Sequence, residues 1–139
     1  NLGVLPFWLI LIFFPQSNIS KIFTISIFPI IVISLIYSYL IYIIFNNGYK
    51  FLDNFNLYLG LEDLKNLFNE TSFLILFWTH FLAINLFCGA WIVNDCQKYN
   101  ISKTLVFFPL IITYLVGPLG ILIYWIIKIF YAKKLSLYD

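Results

Sequence analysis

Arginine and methionine are absent from this 139-residue chain, cysteine occurs twice, histidine once, and only 10% of residues are charged. A soluble domain carries about 25% charged and roughly 45–50% apolar residues. Here 63% are apolar and 22% aromatic. So little charge excludes a water-soluble globule and a disordered tail. Two cysteines exclude a disulfide scaffold. Cys88 and Cys96 fall on one predicted helix, about 12 Å apart along its axis, too far to bridge. There is no CxxC, no histidine pair and no metal-ligand spacing, so no metal site is expected. There is no glycine-rich phosphate loop and no nucleophile elbow. With a net charge of +2 and no lysine run longer than a pair, no nucleic-acid partner is expected. What remains is an all-α integral membrane protein, with membrane lipid as its first partner.

The few charges are placed so that long windows escape them. No Lys, Asp or Glu occurs in 1–20, 22–49, 71–94 or 104–127. A bilayer core needs about 20 apolar residues per helix, and helix is forced because lipid satisfies no backbone group. Four transmembrane spans are therefore predicted, at about 2–15, 22–45, 72–93 and 105–130, in a single membrane domain covering 1–139. The first is short: Pro6 and Pro15 bracket it, and its apolar core runs only from Leu2 to Phe14. With Asn1 in place of an initiator, a preceding segment that completes this span is expected, with a short, partly embedded helix as the alternative. The second ends among Tyr37, Tyr39 and Tyr42, which suit a lipid interface. In the fourth, Pro118 cannot donate to the carbonyl of Tyr114, so a kink or break is expected there.

Most of the carboxylates lie in the loop 46–71. Within it Leu57, Leu61, Leu64 and Phe68 make one apolar helical stripe. Glu62 and Asp63 follow Gly60, where a helix N-terminus favours anions. A short amphipathic surface helix is predicted at 60–69, suited to docking on protein as well as lipid. Four spans place both termini on one side. Lys50, Lys65, Lys133, Lys134 and marginally Lys128 lie there, against Lys21, Lys98 and Lys103 opposite, which makes the side of the termini the more positive one.

Polar groups inside the spans are few, and each is expensive in lipid. His80 is the one histidine; its imidazole suits a proton donor or acceptor, or an axial ligand to a chlorophyll magnesium. A neutral histidine bonded to another helix is the plainer alternative. Asn85 offers two donors and an acceptor but no exchangeable proton, and interhelical bonding suits it best. Asp95 follows the apolar run, and a surface pair with Lys98 three residues later is its plainest role. Trp91 and Trp125 sit where interfacial anchors are expected.

One stretch carries a resemblance. Trp78-Thr79-His80-Phe81-Leu82-Ala83-Ile84-Asn85-Leu86-Phe87, followed by Trp91-Ile92-Val93-Asn94-Asp95, resembles the neoxanthin-synthase-like family. This is the abscisic-acid-deficient group of plastid and cyanobacterial membrane proteins. Leu5-Pro6-Phe7-Trp8 with Phe14-Pro15 resembles its opening. Leu61-Glu62-Asp63-Leu64 with Leu67-Phe68 resembles its loop helix, and Gly117-Pro118-Leu119-Gly120 with Tyr124 and Lys128 its last span. The resemblance implies a thylakoid membrane setting and a carotenoid activity, the isomerisation of violaxanthin to neoxanthin. It implies His80 and Asp95 as the catalytic pair.

Where many members carry an Asp and an Arg, this chain has Asn85 and Ala90. Asn exchanges no proton, and Ala clamps no oxygen. The sequence reading therefore puts first a small accessory subunit of a photosynthetic membrane complex, a photosystem or antenna assembly. It would pack against other transmembrane subunits and bind chlorophyll and carotenoid through His80, Asn85, Trp78 and Trp91. The xanthophyll isomerase stands as the alternative.

Overall fold

The computed structural model describes residues 3–24, 28–48, 50, 52, 55 and 58–133. Among these residues there are seven α-helices and no β-strand. They are α1 (Leu5–Phe13), α2 (Asn18–Thr24), α3 (Phe28–Asn46), α4 (Leu61–Asn69), α5 (Thr71–Lys98), α6 (Lys103–Val116) and α7 (Pro118–Ala132). Pro6, Pro29 and Pro118 each stand in the first turn of a helix, where a missing N–H breaks no helical bond. Of the described helices, α3 over Pro29–Asn46 and α5 are long and apolar enough to cross a membrane. Along the expected second span the described residues are helical, as Asn18–Thr24 and Phe28–Asn46, and residues 25–27 lie outside the described residues. The nine residues of α1 reach only about 13 Å.

The chain forms two compact units, residues 31–83 and residues 1–30 with 84–139. In the first, Ile44, Leu67, Phe73 and Leu76 are buried together, with Tyr37, Leu40, Ile41 and Phe68 against them. Residues 37, 40, 41 and 44 share one face of α3 at helical spacing. The rings of Phe68 and Phe77 meet edge to face at 4.8 Å between centroids. The surface helix forms where its stripe places it, but the stripe is rotated. Leu67 is buried while Leu61 is 82% exposed. The inward set is Leu64, Leu67 and Phe68, because α4 turns toward the aromatic residues of α5. Leu57, expected on the same stripe, and Lys134, expected in the charge count, lie outside the described residues.

In the second unit α6 packs on α1 and α7, and α1 and α7 meet the C-terminal half of α5. Trp8 and Leu11 of α1 lie on Gly89, where a Cβ would come within 2.7 Å of the indole. Only glycine lets the two helices approach this closely. Trp8 also meets Tyr114 edge to face at 5.3 Å. Gln97 donates to the carbonyl of Pro15, and Gln16 to that of Ile101. These bonds tie the end of α1 to the end of α5. There α5 stops in a left-handed turn: Asn100 has φ 52°, Ile101 N–H donates to Cys96 and Asn100 N–H to Gln97. That is the Schellman pattern with asparagine at the left-handed position.

The expected fourth span is where the structure departs most from the sequence reading. Rather than one kinked helix over 105–130, the chain reverses at Gly117, which has φ 54°. The two arms have 14 and 15 residues, about 21 and 22 Å long. Each is shorter than the roughly 30 Å hydrocarbon core of a bilayer. At the closed end Gly120 lies against Thr113 and the carbonyl of Pro109, with no room for a Cβ. At the open end Leu105 of α6 lines one groove with Ile126, Ile127, Phe130 and Tyr131 of α7. The arms are therefore antiparallel. Pro109 sits inside α6, and the Thr113 hydroxyl donates to its carbonyl at 2.7 Å. The hydroxyl thus has its partner within the helix.

Candidate functional site

Helical spacing assembles the site. Trp91 and Asp95 lie four residues apart on α5, and Tyr124 and Lys128 four apart on α7, so each pair shares a face. The hairpin brings the two faces together. The Tyr124 hydroxyl donates to Asp95 Oδ2 at 2.8 Å. The Lys128 ammonium donates to Asp95 Oδ1 at 3.0 Å. Lys128 has 0% of its surface exposed. Its Nζ lies 4.9 Å from the Tyr99 ring centroid and 5.7 Å from that of Trp91, so two aromatic faces share its charge. The Trp91 and Tyr124 rings stand nearly perpendicular at 5.8 Å.

This corrects the surface pair expected between Asp95 and Lys98. Asp95 turns inward to Lys128, a partner 33 residues away, and the Nζ of Lys98 lies over the Tyr99 ring instead. Lys128 is consequently no marker of membrane side. Chemically, the cluster holds a carboxylate and two donors, a tyrosyl hydroxyl and an ammonium, in a setting from which water is excluded. Such a group can pass a proton between its members.

The other expected site residues are dispersed. His80 is exposed, in the unit of residues 31–83, with its ring 6.3 Å from that of Tyr37. Trp78 is 45% exposed and stacks on Phe81 at 5.6 Å. His80 belongs to one compact unit and Asp95 to the other; their pairing is an expectation of the resemblance alone. Trp91 does join Asp95. Asn85 is elsewhere in the second unit, 98% buried (2% exposed) beneath Gly117. Its Oδ1 faces the glycine so closely that a Cβ there would collide, and its Nδ2 has no hydrogen-bond partner. A buried donor left unpaired costs about 1–3 kcal/mol.

Tyr124 and Lys128 were missed as site residues from sequence. Their signal was nevertheless present: one lysine closing an otherwise charge-free window of 24 residues, 104–127, four positions after a tyrosine.

An apolar helical protein, with two helices long enough to cross a membrane and a charged cluster buried between others, is the class that fold and site define. Within that class the chain belongs to the ABA DEFICIENT 4-like family, whose model matches residues 1–124. It is 28% identical over 116 residues to Protein ABA DEFICIENT 4, chloroplastic, of Arabidopsis thaliana, across 77% of this chain and 52% of that protein. The chain thus spans about half the length of the curated relative it matches. No solved structure matches it.

Proposed function

We propose that this chain is a carotenoid-handling protein of a plastid membrane, and that it isomerises an epoxide-bearing xanthophyll at Asp95, Tyr124 and Lys128. The carrying observation is the cluster itself: a carboxylate bonded to a hydroxyl and an ammonium in a chain that is 63% apolar. Ionisable groups in such surroundings are costly and mark functional sites by default. The chloroplastic relative supports the plastid setting, and the resemblance to neoxanthin-synthase-like proteins supports the substrate class.

The chemistry needs an acid and a base together. As violaxanthin becomes neoxanthin, an epoxide C–O bond breaks and its oxygen takes a proton. A proton leaves the neighbouring polyene carbon, and the electron pair of that C–H bond becomes the second double bond of the allene. Product and reactant are isomers, so no oxidant or reductant enters. Tyr124 or Lys128 gives the proton to oxygen, Asp95 takes the one from carbon, and the hydrogen bonds between them restore the starting state. In this reading the chain is one membrane domain. α3 and α5 cross the bilayer, α4 lies at its surface, and the α6–α7 hairpin enters and leaves by one face.

The test is reconstitution of the full chain into vesicles containing violaxanthin, with pigments separated by chromatography. Neoxanthin is expected from the native chain, and a rate at least about tenfold lower from Tyr124→Phe, in line with the contribution of general acid catalysis. Violaxanthin recovered unchanged from folded native protein would rule out the isomerase.

A second reading rests on a different observation. His80 is exposed, and its imidazole would be free to hold a chlorophyll magnesium. That suits an accessory subunit of a photosynthetic complex, packed against other transmembrane subunits and binding chlorophyll and carotenoid, with Trp78 and Phe81 as an aromatic wall. Migration with a pigment–protein complex on a native gel, with chlorophyll lost in His80→Leu, would favour it. Migration alone, without pigment, would exclude it.

A further inference from the structure

We infer that Asn85, under the tip of the α6–α7 hairpin, is the residue that distinguishes an oxygenated carotenoid from a hydrocarbon one, by donating from Nδ2 to an oxygen of the pigment's end group. The inference rests on the carotenoid reading above. Its evidence lies apart from the Asp95 cluster.

Three observations meet at one point. First, the Asn85 amide is 2% exposed, and its Nδ2 lacks any partner. Second, Gly117 is kept open for it. Any Cβ would strike Oδ1, so the hairpin tip and the amide are shaped to each other. Third, α7 starts at this point with no side-chain cap, and a helix N-terminus attracts an electron-rich oxygen. A donor amide beside an uncapped N-terminus suits an acceptor: a hydroxyl, epoxide or carbonyl oxygen.

The surroundings restrict what carries that oxygen. Ile84, Leu115, Val116 and Leu119, the sequence neighbours of Asn85 and Gly117, are all exposed and apolar. A ligand arriving there is lipophilic along its length and polar at its end, as a xanthophyll is. Breaks in membrane helices are tolerated where they line such a site. Asn85 makes no proton transfer; it sets which pigment end is held.

The experiment compares the full chain and Asn85→Leu, purified in detergent, with β-carotene, zeaxanthin and violaxanthin as probes. The native chain is expected to bind the two oxygenated pigments about fivefold to tenfold more tightly than β-carotene, the worth of one neutral hydrogen bond. Asn85→Leu is expected to lose that preference with β-carotene affinity unchanged. The melting temperature of its pigment-free form is expected to stay level or rise, because a buried unpaired donor has been removed. A preference that survives Asn85→Leu overturns the inference, as does equal binding of all three pigments by the native chain. A lowered melting temperature shows an internal partner for the amide and overturns it equally. If the native chain binds none of the three, the carotenoid reading fails and this inference with it.

Discussion

Lys128 has no exposed surface, and a cationic side chain persists there only because Asp95, Trp91 and Tyr99 hold its charge. Removing one member of a buried pair strands the other, at about 3–5 kcal/mol, whereas replacing both with apolar groups is often close to neutral. Lys128→Met is therefore expected to destabilise the protein by an amount in that range. Adding Asp95→Leu to it should recover most of the loss; denaturation of the purified protein measures both. If the double variant is no more stable than the single, the two side chains are not coupled. At this scale the sequence was legible in part. It marked Asp95 and Trp91, but the interhelical bond expected of Asn85 is not seen: its Nδ2 has no hydrogen-bond partner. It assigned Asp95 the wrong lysine, because Lys98 is visible at a local spacing while Lys128 becomes a neighbour only after the chain reverses. His80 drew attention as the one histidine in the chain, yet rarity says nothing about which way a helix face points.

Among the elements, the α6–α7 hairpin changes the most. Pro118 announced an interruption, but a kink and a full reversal share that local signal. What decides between them is packing: Gly120 fits against Thr113 and Pro109 without a Cβ, and Gly117 takes the positive φ the turn requires. Gly120→Ala is expected to cost about 1–3 kcal/mol through overpacking, visible as a lowered melting temperature. Reversal also has a topological consequence. Cysteines introduced at Ser102 and Lys133, at the two ends of the hairpin, are expected to react with a membrane-impermeant thiol reagent from the same side of sealed vesicles. Labelling from opposite sides would show that 105–130 crosses as one span. Elements with uninterrupted apolar runs were legible from sequence: α5 starts within one residue of the expected third span and runs five residues past its end, and α4 lies where its first-turn acids placed it. The rotated stripe of α4 was not legible, since its inner face is chosen by Phe73 and Phe77 of another helix.

At the scale of the whole molecule, the scarcity of charge proves to be an arrangement. Lys98, Lys103 and Lys133 stand at the ends of α5, α6 and α7. With the hairpin reversed, all three belong to one end of their unit, where positive charge flanks apolar helices. Inside, among the described residues, the same unit keeps one ion pair, Asp95 with Lys128. Carotenoid as substrate, and epoxide opening as the chemistry of this pair, belong to the function proposed above. The most direct measurement is pigment analysis of violaxanthin-accumulating cells that express either the native chain or the Asp95→Leu, Lys128→Met double variant, at matched levels of folded protein. Neoxanthin is expected with the native chain and not with the double variant. Equal neoxanthin from both, or none from the native chain, would contradict the assignment of xanthophyll chemistry to this buried cluster.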